Sequence, residues 1–313
     1  MVRKPKASKN SYLLLPKEAI TQLSKTSLLK SVFWISINWI IIVSVITSAI
    51  YLNNFIVTIL SVLIIATRQY ALSILLHDAA HYNISRKKLT NDLISSLFLS
   101  FPLLVSTELY RQHHLMHHRH LHSENDPDVN DQVKKMSKTE LVKMLIGNIS
   151  GIYLIKSLRS SSSFSMIGRL IKTKCSFLIR ENLLFVFFIL TASTFIIYFN
   201  IFSIVLIFWF LPMLTFFTFI YRFNAIAEHS KCNPDDELEG SRNIDVSLIE
   251  RLIISPFNKN YHLTHHLFPG IPFFNLKKAT QELLKNSEFK GKACINRYYF
   301  FGRKSFFKDI IDV

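Results

Sequence analysis

Apolar stretches with almost no charge restrict the fold of this chain more than any other feature. A helix rises about 1.5 Å per residue, so each of four stretches is long enough to cross a hydrocarbon core of ~30 Å. The four stretches are Val32–Ile50, Phe55–Leu76, Leu183–Phe199 and Ile201–Tyr221. Very short connections join them in pairs, at 51–54 and at Asn200. The sequence therefore predicts an all-α integral membrane protein with four transmembrane helices in two hairpins.

The distribution of basic residues predicts how these helices are oriented. Both short connections lack Lys and Arg, whereas every other loop is basic. The positive-inside rule then places both termini and the polar segments in the cytosol. We expect a basic cytosolic leader at 1–31 and a single domain at 32–313, in which 77–182 and 222–313 form a cytosolic cap.

Three further features fall outside this simple pattern. Arg68 lies within the second stretch, so we expect it to face protein, water or substrate, or to reach the interface, and a role near an active site stays open. Leu93–Val105 is short and contains Pro102, which favours a re-entrant or interfacial hairpin. Ser137–Arg159 mixes lysines with apolar residues at helical intervals, which indicates an amphipathic helix on the membrane surface, with an ordinary packed surface helix as the alternative. Ser160–Ser163 then ends the pattern, as expected for a linker.

The formal net charge of +16 indicates an anionic partner. Because basic residues alternate with apolar stretches of membrane length, a lipid surface fits better than nucleic acid, and an acidic redox protein fits equally well. The three cysteines are odd in number and have no CxxC spacing. They indicate neither a disulfide framework nor a zinc ribbon, and they fit a reducing compartment.

The twelve histidines are confined to four places. They are His77 and His81; His113, His114, His117, His118, His120 and His122; His229; and His262, His265 and His266. An HxxxH box places two imidazoles one helical turn apart, and an HxxHH box, which occurs twice, places three on one helix face. We expect the three imidazoles of an HxxHH box to converge on a shared point.

These boxes offer more ligands than one metal ion needs. A structural zinc takes about four ligands, whereas the boxes offer eight histidines and His229 would be a ninth, enough for two metals. Imidazole suits Fe, Zn, Cu and Ni, so the spacing does not identify the metal. A zinc protease would need a glutamate where this chain has Asp78. A metal transporter would need ionisable residues within the spans, whereas these histidines lie at span ends and in cytosolic segments.

The order of the boxes resembles the integral-membrane fatty acid desaturase superfamily. The chain has HDAAH, then HLMHH followed by DPD, then YHLTHHLFPGIP, and the resemblance covers about 68–284. The resemblance implies a non-heme centre of two iron ions held by histidines, O₂ as co-substrate and an external electron donor of the ferredoxin or cytochrome b5 type. It also implies four transmembrane helices with the boxes in the cytosol, which agrees with the charge pattern.

The resemblance also assigns roles to individual residues. The implied metal ligands are His77, His81, His114, His117, His118, His229, His262, His265 and His266. The implied polar supports, which would accept the free imidazole N–H groups, are Asp78, Asp126, Asp128, Glu228, Asn258 and Asn260. His113, His120 and His122 are expected to lie outside the set of ligands, as supporting or surface residues.

One departure from the family pattern widens the range of substrates. The first box has three residues between its histidines, where many acyl desaturases have four. We therefore expect a desaturase that acts on a lipid acyl chain or a related aliphatic substrate. The alternative is a hydroxylase or ketolase acting on a carotenoid, a lipid or a small amino-acid-derived substrate. A composition rich in Ile, Lys, Asn and Phe favours a bacterial inner membrane.

Overall fold

The structure is a computed structural model that describes residues 14–129, 136–152, 165–166, 179–300 and 302–311. Three sequence predictions fall partly or wholly elsewhere. The first residues of the basic leader, the end of the amphipathic helix with Ser160–Ser163, and Cys175 lie outside the described residues.

Helices make up most of the described chain. In order they are α1 (Lys17–Leu23), α2 (Leu28–Leu52), α3 (Phe55–Ala80), α4 (Lys88–Ser95), α5 (Thr107–His120), α6 (Lys138–Ile149), α7 (Ile179–Tyr198), α8 (Phe202–His229), α9 (Leu248–Ile253), α10 (His262–Leu267), α11 (Phe273–Leu283), α12 (Ser287–Lys292) and α13 (Phe306–Ile310). Two short strands, β1 (Arg242–Asp245) and β2 (Cys294–Arg297), pair in parallel. The fold is therefore mostly helical, and the all-α prediction missed this pair of strands.

Four helices, α2, α3, α7 and α8, are long and apolar enough to cross a membrane by length and composition. They cover the four predicted stretches, but α3 and α8 are longer than predicted and continue to Ala80 and His229. No proline or glycine follows Leu76 or Tyr221 to stop either helix. The first histidine box therefore begins inside α3, and His229 is the last residue of α8.

Helix α3 is the central element of the four. Of its most apolar 18-residue stretch, 67% is buried inside the protein, compared with 6% of the corresponding stretch of α7. A tight turn leads into α3, in which Asn53 adopts a left-handed conformation and the side chain of Asn54 accepts hydrogen bonds from the first N–H groups. Arg68 faces protein, and its guanidinium donates to the carbonyl of Leu252 at 2.6 Å. This contact is one of the alternatives that the sequence left open.

The segment 93–105 forms one continuous helical path followed by a turn. Helix α4 continues as a π-helix over Ser96–Ser100, and the chain then turns before Ser106, whose side chain accepts from the N–H of Leu109 and begins α5. The indole of Trp39 on α2 donates to the carbonyl of Phe98 at 3.0 Å. The segment thus packs beside α2, and the turn that follows it places α5 next to the end of α3.

The strand β1 positions the third histidine box. The N–H of Ile244 donates to the carbonyl of Asn260, and the Asn260 amide donates back to the carbonyl of Ile244, both at 2.8 Å. The side chain of Asn243 donates to Thr264 within α10 at 3.1 Å. Helix α10 is therefore fixed from one side by strand contacts that the sequence pattern did not predict.

Candidate metal centre

Four helix segments bring nine histidines together. The end of α3 supplies His77 and the residue after it supplies His81; α5, the end of α8 and α10 supply the others. The first group consists of His77, His81, His114, His118 and His265, and one ring nitrogen from each lies within 4.8 Å of the others. The second group consists of His117, His229, His262 and His266, within the same distance. All nine histidines that the sequence predicted as ligands are in one of the two groups.

Each HxxHH box is divided between the two groups. On α5, His114 and His118 belong to the first group and His117 to the second. On α10 the assignment is reversed, because His262 and His266 belong to the second group and His265 to the first. The expectation that the three imidazoles of one box share a point is therefore wrong. Consecutive residues on a helix point about 100° apart, whereas residues four apart point in nearly the same direction.

The ring nitrogens of each group approach one another closely. In the first group, Nε2 of His118 lies 3.0 Å from Nε2 of His114 and 3.1 Å from Nε2 of His265. In the second group, Nε2 of His229 lies 3.1 Å from that of His117 and 2.9 Å from that of His262. Two nitrogens bound to one ion at about 2.1 Å and at right angles are separated by about 3.0 Å. The spacing of the rings fits a shared ion in each group.

Burial keeps these imidazoles in the form that binds metal. Burial, followed by the charges of Lys259 and Arg111, lowers the pKa of His81 to about 3. Burial, followed by the neighbouring imidazoles, lowers the pKa of His114, His118 and His265 well below the usual value. Both ring nitrogens of His81 and Nε2 of His77 are buried without a hydrogen-bond partner among the described residues. Neutral rings with unpartnered nitrogens are the state that a metal ion stabilises.

Carboxylates contact three histidines in and beside the second group. The Nδ1–H of His117 donates to Asp126 at 2.9 Å, and Asp126 is 2% exposed. Asp128 lies 3.6 Å from the same ring nitrogen and accepts from His113 at 2.7 Å. Glu228 lies 3.4 Å from Nε2 of His262. Asp126 and Asp128 lie at Nδ1 of His117, where a carboxylate would fix the tautomer and the orientation of the ring. Glu228 instead lies beside Nε2 of His262, the nitrogen that faces the second group.

The other three predicted supports contact backbone instead. Asp78 accepts from the side chain of Asn83 at 3.2 Å and from the N–H of Phe273 at 3.3 Å. The Asn258 amide donates to the carbonyl of Phe273 at 3.0 Å, and Asn260 bonds to β1. These side chains are short and lie beside chain segments whose backbone groups need partners. They hold the loops around the site rather than an imidazole.

The two groups lie in a part of the sequence that matches a known protein family. Residues 53–298 match the family described as fatty acid desaturase, which is most of the chain. The chain belongs to the fatty acid desaturase family. A relative, the dihydrorhizobitoxine desaturase of Bradyrhizobium elkanii, is 30% identical to this chain over 235 residues, which cover 70% of this chain and 66% of the relative.

Iron, which the desaturase family generally uses in pairs, fits the donor set of this chain. Imidazole is a suitable ligand for iron, and five and four histidines are enough for two ions with positions left for other ligands. His120 belongs to neither group, and His122 donates to the carbonyl of Gly240 at 2.5 Å. Together with His113, they lie outside the two groups.

Two residues near the site were not identified from the sequence. Arg111 on α5 is 3% exposed; it bonds to the carbonyl of Ala80 at 3.2 Å and pairs with Asp92 and Glu108, both at 2.5 Å. It therefore joins α5 to the end of α3. Lys259 lies between Asn258 and Asn260. The sequence did not predict a role for it, because asparagine is a common support for histidine ligands and lysine is not.

Proposed function

We propose that this protein is a membrane-bound, O₂-dependent desaturase that holds two iron ions and introduces a double bond into an aliphatic chain. The observation that carries the proposal is the division of nine histidines into two adjacent groups that share α5 and α10. Such a division would give two ions adjacent binding sites that are formed by one set of helices. Two irons bound there would supply the oxidising power that O₂-dependent removal of hydrogen from an unactivated C–H bond requires.

The residues of the chain would keep this centre in place. Asp126 holds the N–H of His117, so that Nε2 presents its lone pair to the second group. Arg111 holds α5 against the end of α3, which keeps the histidines of these two elements in register. The protein would select the reaction by holding one carbon of the substrate within reach of the centre.

The surface of the helices supports a membrane location. Large apolar side chains are exposed along α2, α3, α7 and α8, including Phe55 at the start of α3 and Ile197 on α7, both 78% exposed. Apolar surface of this extent would be covered by lipid. We place the centre and both termini on the cytosolic side, because the loops next to the centre are basic. We place the protein in a bacterial inner membrane because its composition is rich in Ile, Lys, Asn and Phe. The same basic surface suits an acidic electron donor, either a ferredoxin or a cytochrome b5.

The relative from Bradyrhizobium elkanii is named as a desaturase of dihydrorhizobitoxine. We take desaturation from it as the type of reaction, and we propose an aliphatic or lipid-like chain as the substrate. Hydroxylation or ketolation would use the same centre, because these reactions begin with removal of the same kind of hydrogen. The mass of the product distinguishes them.

The test is to express the wild type and His117→Ala in host cells and to compare metal content with O₂-dependent products in lipid and small-metabolite extracts. We expect two irons per wild-type chain and a product lighter than its substrate by two hydrogen atoms. A product heavier by one oxygen atom would instead show a hydroxylase. One zinc ion without an oxidised product would contradict the proposal. As a control, His117→Ala should still insert correctly into the membrane, which would show that its activity is lost with the metal ligand and not through misfolding.

A further inference from the structure

A small cavity lies against both histidine groups. Its volume is about 60 Å³, which is room for a few water molecules. The first group contributes His77 and His114 to its wall, and the second contributes His117, His229 and His262. Because it touches both groups, this cavity is where a reacting carbon would meet the centre.

The rest of the cavity wall combines aromatic rings with polar and charged groups. Among the described residues that line it, Ile74 and Ala225 are the only aliphatic side chains. The remaining wall outside the histidines consists of tyrosine, serine and the charged side chains of Asp128, Glu228 and Lys259. A chain made only of methylene groups would remove these polar groups from water without replacing their hydrogen bonds, which is unfavourable. The wall therefore favours a substrate that is polar near its reacting carbons.

Two opposite charges in this wall form a close pair. Nζ of Lys259 lies 3.1 Å from Oε1 of Glu228, and the two side chains are 11% and 10% exposed. The same ammonium lies 3.2 Å from Nδ1 of His262. An ammonium has three N–H donors, and these two contacts use two of them. Both side chains line the cavity, so the pair offers it a donor and an acceptor of opposite charge. Both also contact the imidazole of His262 in the second group.

We propose, on the basis of the proposed desaturase function, that the substrate is a small zwitterion, with a carboxylate and an ammonium close together and an aliphatic chain attached. Lys259 binds the carboxylate and Glu228 binds the ammonium. A single opposite charge would satisfy one member of the pair and meet repulsion from the other, whereas a zwitterion complements both. The aliphatic carbons that follow the charged groups then lie within a few bonds of the nitrogens that face the centre.

Binding of three matched probes to the metal-free, full-length protein in lipid nanodiscs tests this inference. L-Norvaline carries both charges, pentanoate is the same chain without the amine, and n-butylamine is the same chain without the carboxylate. Equilibrium dialysis of labelled L-norvaline against each unlabelled probe gives their relative affinities. We expect pentanoate and n-butylamine each to compete at least tenfold more weakly than unlabelled L-norvaline. Equal competition by all three, or no binding of L-norvaline, would overturn the inference.

Variants then assign the binding to the pair. Lys259→Met should lower the affinity for L-norvaline at least tenfold and leave that for n-butylamine nearly unchanged, whereas Lys259→Arg should keep the preference for L-norvaline. Lys292→Met is the matched control, because Lys292 makes an ion pair with Asp236 at 3.1 Å on the exposed surface. Unchanged binding of L-norvaline by Lys259→Met would contradict the assignment. Two irons and an O₂-dependent product together with failed zwitterion binding would leave the desaturase in place and refute only the substrate class.

Discussion

The two histidine groups have similar spacing but different surroundings. Among the residues that the structure describes, no carboxylate contacts a ring of the first group, and both nitrogens of His81 are buried without a hydrogen-bond partner. In the second group, Asp126 holds His117, and Glu228 and Lys259 lie against His262. The rings of the first group are oriented by the packing of α3, α5 and α10, whereas those of the second also depend on polar contacts. Removing a polar contact should therefore affect the two groups differently.

Removal of one ligand from each group should have the largest effect. Since His265 belongs to the first group and His117 to the second, either replacement by alanine leaves the other set complete. We expect His265→Ala and His117→Ala each to abolish activity and to reduce iron from two ions to one per chain. Elemental analysis of the purified variants measures this. His120→Ala, outside both groups, is the control, and loss of both ions from either ligand variant would show that the groups do not bind independently.

Removal of a carboxylate should affect only the second group. Asp126→Asn removes the charge that holds the N–H of His117, and loss of such a partner weakens metal binding about 10–100-fold. A chelator titration should then show one ion released more easily and the other as in the wild type. Asp78→Asn is the matched control, because Asp78 is equally buried, at 2%, but bonds to Asn83 and backbone. Equal weakening of both ions by Asp126→Asn would remove the proposed difference between the groups.

Loosening the join between α3 and α5 should affect the first group more than the second. Arg111→Gln removes ion pairs to Asp92 and Glu108 and contacts to the end of α3, and we expect the folded state to lose about 2 kcal/mol. The first group should lose its ion at a lower temperature, because it alone has ligands from both elements. Thermal unfolding with metal release measures both effects. Lys285→Gln, in an exposed pair with Glu282, should cost less than about 0.5 kcal/mol.

The smallest predicted effect is a dependence of metal-free stability on pH. The pKa of His81 is about 3 in the folded protein and about 6.5 when unfolded, so the unfolded state binds the proton first as the pH falls. Stability is complete above pH ~6.5 and decreases below it. Between pH 7.5 and 6.0, we expect His81 to account for about 1 kcal/mol of the loss. Denaturant unfolding of the metal-free wild type and His81→Asn measures this share, and identical pH dependence of the two would contradict it.

Much of the fold followed from local patterns in the sequence. Long stretches with almost no charge predicted the four long helices, because the apolar side chains in such a stretch favour the same environment. Their ends were less well predicted, since nothing between Tyr221 and His229 stops a helix. The strands β1 and β2 were missed because they are four residues long and pair across almost the whole C-terminal part of the chain.

The sequence by itself determined which histidines could act together, because spacing along a helix fixes which side chains share a face. It could not assign them to two groups. His117 and His118 are neighbours in the chain, yet they face different groups, and His265 joins residues of α3 and α5 that are far away in sequence. The same limit hid Arg111, whose partners lie on other elements, and the Lys259–Glu228 pair, whose members are separated by a strand and a helix. Helix periodicity is a local property of the chain, whereas the crossing of α3, α5, α8 and α10 depends on the packing of the whole structure.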